Sequence, residues 1–122
     1  MPPTAVSQLL TTLPDVDFFQ LCGPTEGGPT GIYSTPDEVR ERPDATGRWP
    51  LTYTEVRLVD VDGNEVPHGD TGEILLRSET VMKRYWNQPE ATAETLRDGW
   101  LHTGDLAIRD EQGYITIVDR LK

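Results

Sequence analysis

Residues 101–122, LHTGDLAIRDEQGYITIVDRLK, decide how the rest of the chain is read. They predict two strands around a tight turn, with Asp105 near the start of one strand and Arg120 at the end of the other. Folding the hairpin brings these two sequence-distant polar groups toward each other. Spacing alone leaves two readings open. Asp105 is turn chemistry and Arg120 forms a salt bridge, or the pair faces a polyhydroxylated, charged small molecule. The sequence stops at Lys122, directly after this arrangement, which raises the expectation of a piece cut from a longer chain.

At 122 residues the chain is long enough for one small domain or part of a larger one. Its 11 glycines and 10 prolines predict short, turn-rich structure, while apolar runs at 72–76 and 114–118 argue against disorder. The net charge of −10 repels phosphate backbones, so no nucleic-acid partner is expected. An anionic ligand needs a local cation or a metal to overcome that field. A single cysteine, Cys22, excludes an internal disulfide and fits a reducing compartment. Residues 1–13 lack the pattern of a signal peptide, and no run reaches the ~18 apolar residues of a membrane span. The location expected from this is cytoplasmic.

Working outward, Val6, Leu9, Leu10 and Leu13 fall at helical spacing, with Thr4 as cap and Pro14 as stop. A short buried strand is expected over Val16–Leu21, followed by a glycine- and proline-rich loop from Cys22 to Gly31. Such a loop at the carboxyl end of a strand either binds a ligand or merely connects. Thr35–Arg42 is a candidate helical turn with a solvated charged face. Thr54–Val61 and Glu73–Arg77 read as strands, the first with an alternation slip that implies a bulge or two covered faces, and Asp62-Gly63-Asn64 as a hairpin turn. Asn87 is the expected cap of a surface helix with Pro89 in its first turn, ended by Asp98-Gly99. The fold class is therefore α+β. Residues 1–31 are expected to be the end of an α/β subdomain (helix, then strand), and residues 32–122 a small antiparallel, barrel-like subdomain.

A carboxylate such as Asp105 accepts two hydrogen bonds at a spacing that suits a ribose cis-diol. The guanidinium of Arg120 offers a planar fork to ribose or phosphate oxygens. Glu26 is suited to Mg²⁺ shared with phosphates, and Thr25 offers a hydroxyl and a backbone N–H to a phosphate. Diol, phosphate and metal together describe a nucleotide. His68 and His102 form no metal-ligand pattern with Cys22 and are taken as incidental. Ser7, Ser34 and Ser78 lack the context of a hydrolase triad. Tyr85-Trp86 reads as core or helix packing.

Four segments in order resemble the AMP-forming acyl-CoA synthetases of the adenylate-forming superfamily, which includes firefly luciferase and 4-coumarate-CoA ligase. Gly23-Pro24-Thr25-Glu26 is similar to that family's G-x-T-E loop. Gly72-Glu73-Ile74 through Tyr85-Trp86-Asn87 is similar to its G-E-[IL]…G-Y-W segment. Trp100–Asp105 is similar to W-x-H-T-G-D, and Asp119-Arg120-Leu121-Lys122 to the D-R-x-K hinge. The resemblance implies a carboxylate–CoA ligase that uses ATP and Mg²⁺ to make an acyl-adenylate from a fatty or other carboxylic acid. It then passes the acyl group to coenzyme A and leaves AMP. By motif, Gly23 and Thr25 approach the nucleotide, Glu26 the magnesium, Asp105 and Arg120 the ribose, and Ile117 the nucleoside. Lys122 is the expected hinge. No catalytic residue is expected within the chain, since the family's catalytic lysine belongs to a C-terminal domain; the remainder of the parent enzyme is the expected partner and the fragment alone is expected to be inactive. Cys22 stands where the family places an aromatic, Arg84 where it places a glycine before Tyr-Trp, and Ser78 replaces another glycine. These departures motivate a second reading, a degenerate piece retained for nucleotide binding or as a scaffold.

Overall fold

In the computed structural model, which describes residues 1–121, the chain runs through helix α1 (Pro3–Thr12), strand β1 (Gln20–Cys22), a 3-10 turn (Thr25–Gly27) and β2 (Ile32–Ser34). It continues through α2 (Pro36–Glu41), β3 (Trp49–Pro50), β4 (Glu55–Val59), β5 (Thr71–Arg77), α3 (Pro89–Thr95), β6 (Leu96–Arg97), β7 (Trp100–Arg109) and β8 (Ile115–Arg120). The chain is α+β, with two antiparallel sheets: β1-β2-β3, and a five-stranded sheet ordered β4-β5-β7-β6 with β8 also on β7. The larger sheet curls as a half-barrel, and β7 is its spine. One edge of β7 pairs with β5, while the other pairs first with β6 and then with β8.

The main core fills the inner face of that sheet. Ile32, Leu58, Ile74, Leu76, Leu101, Ala107 and Ile115 are all buried there. The opposite face carries a smaller cluster of Val59, Leu75 and Trp100. Period-2 alternation explains the split, because Ile74 and Leu76 point one way and Leu75 the other. It also resolves the slip in 54–61. The β4–β5 register is continuous, and Leu58 and Val59 are both buried because the sheet is covered on two sides. Arg57 and Arg77 stack on the Trp100 ring at 4.6 and 4.5 Å and complete that second cover.

Several expectations need correction. Thr4 does not cap α1; Pro2 occupies the cap position and Pro3 opens the helix, where a missing N–H costs nothing. The strand at 16–21 is only Gln20–Cys22, and Phe19 and Leu21 are exposed, since β1 has a partner on one edge only and no layer covers that face. The face of α2 is not simply solvated. Thr35 and Glu38 form a capping box, and Glu38 is buried, accepting from Arg48 and from the Trp49 indole at 2.9 and 2.7 Å. Asp98-Gly99 does not end α3 but makes the tight turn between β6 and β7, both residues at positive φ. Asn87 likewise lies at positive φ, and Gln88 takes the cap position in its place. Asp105 lies mid-strand in β7, not near its start. Among the described residues no helix is long and apolar enough to cross a membrane.

Candidate functional site

The site begins with an irregularity in β7. Glu73 pairs with Leu106 and Leu75 with His102, so Thr103, Gly104 and Asp105 all face the single residue Ile74. The excess backbone bulges, and Gly104 sits at φ 73°, which a residue with a Cβ adopts only at a cost. Four hydrogen bonds fix this bulge. Thr103 Oγ1 donates to the Ile74 carbonyl at 2.8 Å and accepts from Asp105 N–H at 3.1 Å. Gly104 N–H donates to Glu73 Oε1 at 3.0 Å, and the Gly104 carbonyl accepts from Leu121 N–H at 2.6 Å.

A second irregularity lies on the other edge. Ala107 pairs with Ile117 and Leu106 with Asp119, leaving Val118 as one extra residue in β8. Past that bulge Arg120 is the cross-strand partner of Asp105, and its Nε lies 3.4 Å from Asp105 Oδ1. The Arg120 side chain remains 73% exposed, so its remaining donors are open to a ligand. The salt bridge and the ligand-facing reading are thus compatible in one geometry.

The glycine-rich loop supplies the opposite wall. Gly23 is required by packing, because an added Cβ would collide with the Thr30 carbonyl. Cys22, Gly23, Ile74, Thr103, Asp105 and Ile117 line a narrow crevice. Burial, and then the Asp105 charge, push the Cys22 thiol pKa up, so the thiol stays protonated and apolar in character. Beside this crevice opens a wider cleft of about 490 Å³ whose walls include Glu26, Glu73, Tyr85, His102, Gly104 and Arg120. Thr25 begins the 3-10 turn and is exposed. Lys122 lies outside the described residues.

Tyr85 and His102 line the cleft and have partners that sequence spacing did not indicate. The Tyr85 hydroxyl donates to Glu26 Oε1 at 2.7 Å across 59 positions. That bond, with a backbone N–H, holds the Glu26 carboxyl below its ordinary range, and the same carboxylate raises the Tyr85 phenol. Trp86, by contrast, is exposed, so Tyr85-Trp86 is not a core pair. His102 is not incidental: its Nδ1 lies 3.0 Å from Glu73 Oε2 and 2.7 Å from Arg97 Nη2. The signal for Glu73 was present in the sequence, as an acid directly before the apolar run Ile74-Leu75-Leu76. No group of three His, Cys, Asp or Glu side chains able to hold a metal occurs among the described residues. Glu26 is therefore a one-carboxylate site, which suits Mg²⁺ only when phosphate oxygens complete the shell.

Comparison with known proteins adds an independent line. A family model described as "AMP-binding enzyme" matches residues 1–86. Feruloyl-CoA synthase of Amycolatopsis sp is 47% identical over 105 residues, covering 86% of this chain and 21% of that protein. Among solved structures, an amide bond synthetase from Marinactinospora thermotolerans superposes with TM-score 0.86 at 38% identity, covering 98% of this chain and 24% of that one. O-succinylbenzoate coenzyme A synthetase from Bacillus subtilis, in complex with ATP and magnesium ion, gives TM-score 0.82 at 28% identity, with coverage of 98% and 24%. The chain thus spans about a fifth to a quarter of the length of these relatives.

Proposed function

The chain belongs to the AMP-binding enzyme family, and from that premise we propose that it forms one wall of the nucleotide site of an AMP-forming carboxylate–CoA ligase. The observation that carries this reading is the meeting of Asp105, Arg120 and Glu26 around one crevice and its adjoining cleft. In this reading Asp105 accepts from the ribose diol and Arg120 donates to ribose or phosphate oxygens. Thr25 donates to the α-phosphate, and Gly23 and Ile117 flank the nucleoside. Glu26 supplies the protein oxygens for Mg²⁺, which when bound neutralises phosphate charge in a chain of net charge −10.

The reaction in the whole enzyme has two steps. A substrate carboxylate oxygen attacks the α-phosphorus of ATP, the bond to the β-phosphate oxygen breaks, and pyrophosphate leaves. The thiol sulfur of coenzyme A then attacks the acyl carbonyl carbon, its proton is lost, and AMP departs. This chain's residues bind and orient the nucleotide in both steps. Residues 1–31 belong, on this proposal, to the end of an α/β subdomain, residues 32–122 to the barrel-like one, and Lys122 to a hinge. The 122 residues alone bind nucleotide but form no acyl-CoA.

The test is titration of the chain with AMP, with and without Mg²⁺, followed by amide NMR. Shifts centred on Gly23, Asp105, Ile117 and Arg120 are expected. Shifts confined to the opposite sheet face, around Trp100, would overturn the proposal, and acyl-CoA formed from ATP, a fatty acid and coenzyme A by the 122 residues would overturn its second part.

A further inference from the structure

We propose that Glu73 is a positioning residue for the nucleotide site, acting through the Thr103-Gly104-Asp105 bulge; this rests on the proposed nucleotide-binding role. Glu73 is the last residue of β5 in register with β7 before the bulge, paired with Leu106. Its carboxylate reaches back over the bulge, and its Oε1 accepts the Gly104 N–H at 3.0 Å. That amide has no strand partner, because three residues of β7 stand opposite Ile74 alone. Without Glu73 it would be a half-buried orphan donor at the residue that already holds a positive φ. The next residue is Asp105.

The other oxygen is held as well. Glu73 Oε2 lies 3.0 Å from His102 Nδ1, and the two side chains are only 15% and 17% exposed. His102 Nδ1 is also 2.7 Å from Arg97 Nη2. It donates to Glu73 when protonated at Nδ1 and accepts from Arg97 when not, so one imidazole nitrogen serves either neighbour in turn. The Gly104 bond is independent of that choice. Glu73 therefore ties the strand before the bulge to its apex, and the apex fixes both neighbours of the ligand. Gly104 N–H sets where the Asp105 carboxylate emerges, while the Gly104 carbonyl takes Leu121 N–H at 2.6 Å, next to Arg120.

The experiment compares Glu73→Ala, which removes the acceptor, with Glu73→Gln, which keeps an amide oxygen at the same reach. Glu65→Gln, an exposed carboxylate that lines neither the crevice nor the cleft and has no bond to the bulge, is the control. Two readouts are taken on the 122-residue chain: amide exchange at Gly104, and AMP affinity from chemical-shift titration. Glu73→Ala is expected to speed Gly104 exchange about tenfold, move the Asp105 and Arg120 resonances and weaken AMP about tenfold, with Glu73→Gln and Glu65→Gln within about twofold of the parent. Unchanged exchange at Gly104 in Glu73→Ala, or equal loss in Ala and Gln variants, overturns the proposal. So does an Ala variant that loses the dispersed methyl spectrum of Leu76 and Ala107, since Glu73 would then be an anchor of the whole sheet. Failure of the parent chain to bind AMP sinks the nucleotide reading instead, and the Gly104 comparison still decides whether Glu73 sets the bulge.

Discussion

A carboxylate meant for a metal is useful only if it is ionised, and Glu26 is kept so by the Tyr85 hydroxyl at 2.7 Å. Replacing that phenol in Tyr85→Phe should raise the Glu26 pKa toward the ordinary glutamate value, read directly by a carboxyl-carbon NMR titration; an unchanged value would remove Tyr85 from the site. Asp105 and Arg120 make the complementary case. The Arg120 side of their ion pair is solvent-facing, so Arg120→Ala should change stability by less than about 1 kcal/mol while weakening AMP binding about tenfold. A matching loss of thermal stability would recast Arg120 as structural. That Asp105 and Arg120 meet was legible, because a single hairpin carries both. The bonds of Tyr85 and His102 were not, because their partners lie 59 and 29 positions away and only the folded sheet brings them near.

Among the elements, the short ones depend on polar ties. The α2 turn is held by its capping box and by Glu38, which burial pushes up in pKa but which the Thr35 N–H, Trp49 and Arg48 together pull below its usual value. Arg42 similarly bridges Asp44 and Asp110, at 3.1 and 2.6 Å, holding both carboxyls low despite burial, and ties the segment after α2 to the β7–β8 turn. A carboxylate with a lowered folded-state pKa stabilises fully above its unfolded value and ceases to as pH falls through the folded one. Melting temperature should therefore drop steeply below about pH 4, and Glu38→Gln should be less stable at neutral pH with a shallower acid decline. The apolar elements behave otherwise. Ile115→Ala, at a position 1% exposed, should cost roughly 2–5 kcal/mol at any pH, checked by urea unfolding. The long strands were readable from alternation and turn residues. The Asp98-Gly99 turn was misplaced because the same dipeptide ends helices and closes hairpins, and only pairing of Leu96-Arg97 with β7 decides between them.

The molecule as a whole has one dry side and one exposed apolar side. The curled sheet buries its core, but Leu9, Leu10, Phe18, Phe19 and Leu21 line an open apolar groove of about 320 Å³ beside α1. The native chain should accordingly bind an apolar dye such as ANS, and Phe19→Ser with Leu21→Ser should reduce that binding without altering the far-ultraviolet spectrum. The α+β class was legible from element order, since strands with turn residues between them dominate after residue 52. The exposure of β1 was not, because an apolar run does not say whether anything covers it. The single extra residue in β8 has a consequence of a different kind. Continue the pairing of Ala107 with Ile117 without Val118 looped out, and Asp119 falls opposite Asp105 where Arg120 now stands. Two carboxylates would then repel across the position that the cation holds. The identity of the site is thus partly a matter of counting: a slip of one residue between two strands would erase it while every amino acid in it stayed the same.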